Sequence, residues 1–181
     1  MATSAGAAAA LSLASAPAAA QQAGVGDQPA GPVRLVGHTG ITVSDLDRSI
    51  RFYRDVLGCQ ISRTIRAEGP NFEAITGVPG CKIDIAFARL PGHIIELLCY
   101  REPLGKVSTL RPNDPGFTHL CLKVDDLGRV TQQVLAAGFE VMGTTLRDGA
   151  PSPVYVRDPD GVVLELMQYA PGTQMEERYF L

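Results

Sequence analysis

The sequence of 181 residues has no tryptophan, only three histidines, and no apolar run as long as 18 residues. The last absence excludes a helical multi-span membrane protein. Charge is short on both sides: 16 Lys and Arg face 19 Asp and Glu, a net of −3. No basic surplus or basic, aromatic-interleaved surface marks a nucleic-acid or anionic-membrane partner. Cysteine is sparse, and none of Cys59, Cys81, Cys99 and Cys121 stands in a C-x-x-C pair. A zinc knuckle and a thioredoxin-like site are thereby disfavoured. An even cysteine count would permit two disulfides in an exported protein, but three of the four lie in apolar runs, which favours buried free thiols. The glycines and lysine of 77–82 lack Walker spacing, and there is no G-x-S-x-G elbow. What remains is an ordinary globular composition, 45% apolar and 19% charged, long enough for one domain with a sizeable core.

Residues 1–33 stand apart. Alanine fills 13 of the first 30 positions, and Asp27 is the one charged side chain before Arg34. Small residues bury too little area to offset chain entropy. The apolar stretch from Ala7 to Ala16 with Ala18-Ala19-Ala20 before Gln21 reads as an export signal with an A-x-A-like cleavage site. The absence of Lys or Arg near Met1 reads instead as a plain disordered tail. The pattern leans to export, and so to a periplasmic or exported location over a cytoplasmic one.

The rest of the chain repeats itself. His38-Thr-Gly-Ile-Thr-Val-Ser-Asp-Leu-Asp-Arg48 aligns with His119-Leu-Cys-Leu-Lys-Val-Asp-Asp-Leu-Gly-Arg129. Pro91-Gly-His-Ile-Ile-Glu96-Leu-Leu-Cys-Tyr100 aligns with Asp160-Gly-Val-Val-Leu-Glu165-Leu-Met-Gln-Tyr169. Two copies of one module follow, 34–100 and 117–169, joined by the linker 101–116 and followed by a tail at 171–181. Each module opens on an alternating strand, 35–43 and 117–124. An N-cap comes next, Ser44 in one copy and Asp125 or Asp126 in the other. An amphipathic helix then ends at Gly58 or Gly138. A strand (60–66; 139–146) and a loop lead to a closing hairpin (82–90 with 93–100; 153–158 with 162–169), turned by Leu-Pro-Gly-His and Asp-Pro-Asp-Gly. The fold class is α+β, two βαβββ modules with eight strands and two main helices. The loop 67–80, with Gly and Pro at both ends and Phe72 and Ile75 between, is a candidate lid. The tail, with Tyr179, Phe180 and Leu181, is a second candidate cover for the cleft.

The repeat sorts the polar residues. Two of the three histidines, His38 and His119, hold one position in the two modules. Glu96 and Glu165 hold another, each inside an apolar strand. A carboxylate there is expensive unless paired or metal-bound. Two imidazoles and two carboxylates make a mixed nitrogen and oxygen set for one divalent ion: Zn, Ni, Co, Mn or Fe, and not Ca. His93 pairs with Val162 in the repeat and lies three residues from Glu96, on the opposite strand face. It is expected at the surface.

These motifs resemble the vicinal oxygen chelate superfamily, which includes glyoxalase I, methylmalonyl-CoA epimerase, extradiol dioxygenases and fosfomycin- and bleomycin-resistance proteins. The residues that carry the resemblance are His38-x-x-Ile-x-Val-x-Asp-Leu, Phe52-Tyr53-x-x-Val-Leu-Gly58, Ile95-Glu96-Leu97, His119-x-x-Leu-x-Val and Asp158-Pro-Asp-Gly-x-x-Leu-Glu165-Leu, over 34–170. The resemblance implies paired modules forming an incomplete barrel, with His38, Glu96, His119 and Glu165 as metal ligands. It implies a lyase or isomerase that moves a proton beside a carbonyl of a small oxygenated substrate through a metal-stabilised enediolate. Glu165 would be the base, and Asp84 would supply an epimerase-like second base. Glu96 argues against a 2-His-1-carboxylate extradiol dioxygenase, the alternative enzyme. A non-catalytic ligand-binding or resistance protein is the alternative outside enzymology. Thr42 and Tyr100 replace the arginine and asparagine with which glyoxalase I holds glutathione, whereas Pro103-Leu104-Gly105 is closer to the epimerase. Members of the superfamily build the site within one chain or across a homodimer, the expected assembly here, and the linker permits either.

Overall fold

The computed structural model describes residues 32–33, 35–107, 110–143 and 153–170. The expectations for 1–31, for the strand end at 144–146 and for 171–181 lie outside these. The architecture belongs to the unit that begins at Val36. Its elements are β1 (Thr39–Thr42), α1 (Leu46–Arg51), a π-helical turn (Phe52–Val56), β2 (Gln60–Ile61), β3 (Ile65–Glu68), α2 (Pro70–Thr76), β4 (Lys82–Leu90) and β5 (His93–Glu102) in the first module. The second holds β6 (His119–Lys123), α3 (Leu127–Ala136), β7 (Val141–Met142), β8 (Val154–Arg157) and β9 (Val163–Met167). The two modules form two mixed sheets, ordered β1-β5-β4-β2 with β3 also on β4, and β6-β9-β8-β7. In both, the first strand runs parallel to the last.

Local chemistry explains the details. Asp45 caps α1, its Oδ1 accepting from the Arg48 N–H at 2.9 Å. That corrects the assignment of Ser44, whose hydroxyl instead donates to Asp160 of the second module. Asp126 caps α3 in the same way, at 2.8 Å from the Arg129 nitrogen. Asp126→Ala is expected to cost about 1 kcal/mol in thermal or urea unfolding. The expected strand 60–66 is broken into β2 and β3. Ser62 causes the break, because its side-chain Oγ accepts the Phe87 N–H at 2.9 Å where a ladder carbonyl would stand. The proposed lid contains a helix: Pro70 fits its first turn and Gly77, at φ +68°, closes it. Phe72 packs this helix onto Ala67, Cys81, Ile83 and Ile85, while Ile75 is 80% exposed.

One core is shared by both modules. Ile41, Ile95 and Leu97 from the first sheet meet Val154, Val156, Leu164 and Leu166 from the second, with Phe52, Tyr53, Val130 and Val134 from the helical segments among them. The π-helical turn widens the backbone so that the successive rings of Phe52 and Tyr53 are both buried. Phe52 stands edge-on to Phe139 across the module boundary, centroids 4.7 Å apart. All four cysteines are free thiols, with Cys59 and Cys81 buried, Cys99 half-buried and Cys121 exposed.

A polar staple ties the modules beside this core. The Tyr53 hydroxyl donates to Asp158 Oδ2 at 3.1 Å, and Asp158 Oδ1 accepts the N–H groups of Asp160 and Val162. Arg48 reaches Asp160 at 3.0 Å. Burial, the largest influence, raises the Asp158 carboxyl above the usual aspartate value, against the hydrogen bonds that lower it. A carboxyl raised in the folded state holds its proton more tightly there than in the unfolded chain. Its contribution to stability therefore improves as pH falls through the folded value toward the ordinary aspartate range, opposite to a salt-bridged carboxylate. Wild type should gain stability relative to Asp158→Asn on acidification, read by thermal unfolding. A relative loss would contradict the raised value.

Candidate metal centre

Strand periodicity decides where the four candidate ligands point. In the first sheet, Gly40 pairs with Glu96 and Thr42 with Leu98. His38, Gly40 and Thr42 thus share a face with Glu96, Leu98 and Tyr100, while the alternate residues Ile41, Ile95 and Leu97 enter the shared core. His38 Nε2 lies 3.2 Å from Glu96 Oε2. The second sheet repeats this. Cys121 pairs with Glu165, and His119 Nε2 lies 3.1 Å from Glu165 Oε2. Leu164 and Leu166 take the core side. Both carboxylates are largely shielded, with side-chain exposures of 18% and 13%, whereas His38 and His119 remain more open at 51% and 35%.

Two ligands bound at right angles, each about 2.1 Å from one ion, stand about 3 Å apart. Each His–Glu pair has that separation, and in each the imidazole faces the carboxylate through Nε2. The donor set therefore fits a divalent ion. Convergence does not follow within one chain: among the described residues no group of three or more His, Cys, Asp or Glu side chains is arranged to hold a metal ion. The sequence expectation of four ligands around one ion resolves into two half-sites, one per sheet, each on the face turned away from the common core.

Asp84 is not brought to either pair. The register of β4 and β5 sets Asp84 opposite Cys99 and Phe87 opposite Glu96. Three residues separate Asp84 from Phe87, so its side chain projects from the other face of the sheet. There its Oδ1 pairs with Arg101 at 3.1 Å and Arg66 at 3.7 Å. The sequence held the necessary signal. The tight turn at Pro91-Gly92 sets Leu90 opposite His93, and the register runs back from there. His93 takes the face opposite Glu96, as its spacing predicts, but it is half-buried, its Nε2 bonded to Thr39 Oγ1 at 2.8 Å.

Three residues around the second pair escaped the sequence reading. Tyr155 pairs across the strands with Glu165, and its ring lies 5.2 Å from that of His119. Phe117 approaches the same imidazole at 6.1 Å. Cys121 flanks Glu165 on the other side. Burial first, then the Glu165 charge and its hydrogen bond, push the Cys121 thiol up to about 11. The repeat itself was the available signal, because Cys121 follows its histidine by two residues as Gly40 does in the first module. A cavity of about 510 Å³ lies where the linker meets both sheets, and none of the four candidate ligands lines it. Thr42, Tyr100, Leu104, Phe117, Asp160 and Val163 contribute to its wall.

Two paired-module sheets, each carrying a His–Glu pair at the equivalent place, make a scaffold of the glyoxalase type. The chain belongs to the Glyoxalase/Bleomycin resistance protein/Dioxygenase superfamily, whose family profile matches residues 35–166. It is 33% identical over 133 residues to a probable lactoylglutathione lyase of Vibrio parahaemolyticus, covering 72% of this chain and 88% of that one. It is 28% identical to the mitochondrial methylmalonyl-CoA epimerase of Mus musculus, covering 78% of each. A glyoxalase family protein from Bacillus cereus superposes with a TM-score of 0.69 at 22% identity, over 78% of this chain and 98% of that one. The fold is therefore that of the superfamily, and lyases and epimerases are among the curated relatives.

Proposed function

We propose that this protein is a metal-dependent lyase or isomerase that moves a proton on the carbon beside a carbonyl of a small oxygenated substrate. The observation that carries this reading is the same His–Glu pair at the equivalent place of both modules, on sheet faces that the core leaves free. The active unit is a homodimer in which the half-site of one copy meets the other half-site of its partner, because one chain keeps them apart. His38 and Glu96 from one copy, with His119 and Glu165 from the other, hold one divalent ion among Zn, Ni, Co, Mn and Fe. Bound there, the ion would supply Lewis-acid polarisation of the substrate carbonyl. Glu165 takes the proton from the neighbouring carbon and returns it to complete the transfer. The apolar strand around each carboxylate excludes water and keeps the proton with the substrate.

Two measurements test the reading. Elemental analysis should find one divalent metal per chain, lost in a His38→Ala/Glu165→Ala double variant. Deuterium exchange into a 2-oxo or 2-hydroxy compound should fall about 10²–10⁴-fold in Glu165→Gln. Exchange untouched by that substitution would remove Glu165 as the base. A protein that takes up none of the ions would be a ligand-binding member of the superfamily.

A further inference from the structure

The two half-sites are alike in their ligands and unlike in what surrounds them. Glu96 stands between Gly40 on β1 and Phe87 on β4. Neither of these side chains can offer a hydrogen bond. At Gly40 a Cβ would lie 3.8 Å from Glu96 Oε2, so the strand comes close to the carboxylate there without offering it a side-chain donor. Glu165 stands between Cys121 on β6 and Tyr155 on β8. The substitutions are at matched positions of the repeat: glycine becomes a thiol, and phenylalanine becomes a phenol-bearing ring. Cys121 is the direct register partner of Glu165 between β6 and β9, so the thiol and the carboxylate stand side by side on one face of the sheet. The Tyr155 ring packs at 38° to the His119 ring, and Phe117 packs at 34° on the same imidazole. No aromatic ring contact is found for His38 among the described residues.

We infer that Cys121 and Tyr155 are positioning residues for the Glu165–His119 pair, and that they make the two half-sites chemically unequal. This rests on the metal-site reading above and adds to it a physical basis for the division of labour between the carboxylates. The thiol proton occupies one lone pair of Glu165, which fixes the carboxylate plane and selects which oxygen is turned to the ion or the substrate. The Tyr155 ring limits the rotation of the His119 imidazole, so that Nε2 keeps its aim at Glu165. Glu96, flanked in the register by Gly40 and Phe87, has no such partner among the described residues and serves as a plain ligand. No electron or atom transfer at sulfur is involved.

The experiment has a spectroscopic arm and a metal arm. In the infrared spectrum of the protein as purified, the difference between wild type and Cys121→Ala isolates one S–H stretching band. That band should lie below those of the other three thiols and move up toward them in Glu165→Gln. A band unmoved by Glu165→Gln overturns the thiol contact. In the metal arm, cobalt(II) affinity should fall about 10–100-fold in Cys121→Ala and in Tyr155→Ala. It should be restored to within a few-fold of wild type in Cys121→Ser, which keeps a donor, and in Tyr155→Phe, which keeps the ring. Phe87→Ala, at the matched place beside Glu96, should leave the affinity unchanged. Equal losses in the alanine and conservative variants would indicate general damage and overturn the inference. A near-ultraviolet thiolate-to-cobalt band that vanishes in Cys121→Ala would make Cys121 a ligand, and would also overturn it. Wild type that takes up no cobalt or other divalent ion would end the metal reading and the positioning role together. The infrared arm would still decide separately whether the thiol touches Glu165.

Discussion

Mixing two proteins that bind no metal should restore metal binding. One carries His38→Ala and Glu96→Ala, the other His119→Ala and Glu165→Ala. Each alone lacks one of the two half-sites on every chain. The half-sites lie on the outward faces of two sheets whose inward faces share one core, and the four ligands do not converge in a single chain. If a site forms where two copies meet, a mixed dimer combines the intact first module of one chain with the intact second module of the other. Its second site is doubly dead. Random pairing makes half the dimers mixed with one good site each, so about a quarter of the wild-type metal capacity returns. Subunits would be unfolded and refolded together, or co-expressed, and the metal counted by elemental analysis. No recovery in a mixture shown to exchange subunits would mean that the site closes within one chain, by a rearrangement of the two sheets.

The largest expected loss of stability is at Phe52. Its ring is 1% exposed and meets the rings of Tyr53 at 5.3 Å and Phe139 at 4.7 Å, both edge-on. Phe139 belongs to the second module, so Phe52→Ala opens a cavity at the boundary between the two halves. Truncation of a buried phenylalanine costs about 3–5 kcal/mol, against a total near 5–15 kcal/mol for a domain. Urea unfolding should show a loss of this size in one transition, because both sheets feed the same core. Two separated transitions would mean that the modules hold themselves together independently. Tyr53→Phe should cost less, about 1–3 kcal/mol, from the hydrogen bond removed at the buried Asp158.

Much of this arrangement was legible because the chain repeats. Duplication turned four unremarkable residues into a pattern: His38 with His119 and Glu96 with Glu165. The alternation of Glu96 and Glu165 with buried leucines and isoleucines already placed them off the core. The helix stops at Gly58 and Gly138 were equally plain, and both glycines adopt positive φ. Less legible were features set by tertiary contact. Ser62 breaks a strand because of where Phe87 happens to lie, and 70–76 becomes a helix because Phe72 finds an apolar patch on the sheet. Ser44 lost the capping role to Asp45 because Asp160 engages it from a hundred residues away. Asp84 looked like a reacting carboxylate while its strand register was left unread. The separation of the half-sites could not be read at all, since spacing along a chain does not say which way two sheets face.

The linker between the modules has a consequence for variation. Tyr100 and Leu104 near its start and Gly116, Phe117 and Thr118 near its end line one cavity of about 510 Å³. The chain leaves one module and comes back to nearly the same place, so the distance to be bridged is short compared with the residues available. The entropy of closing such an excursion changes by only about 0.6 kcal/mol when its length is doubled. Insertions or deletions there can therefore reshape the wall of the cavity without disturbing either sheet or any ligand. A lineage could alter what this cleft admits by changing one loop, while the two His–Glu pairs and the means of folding are inherited intact.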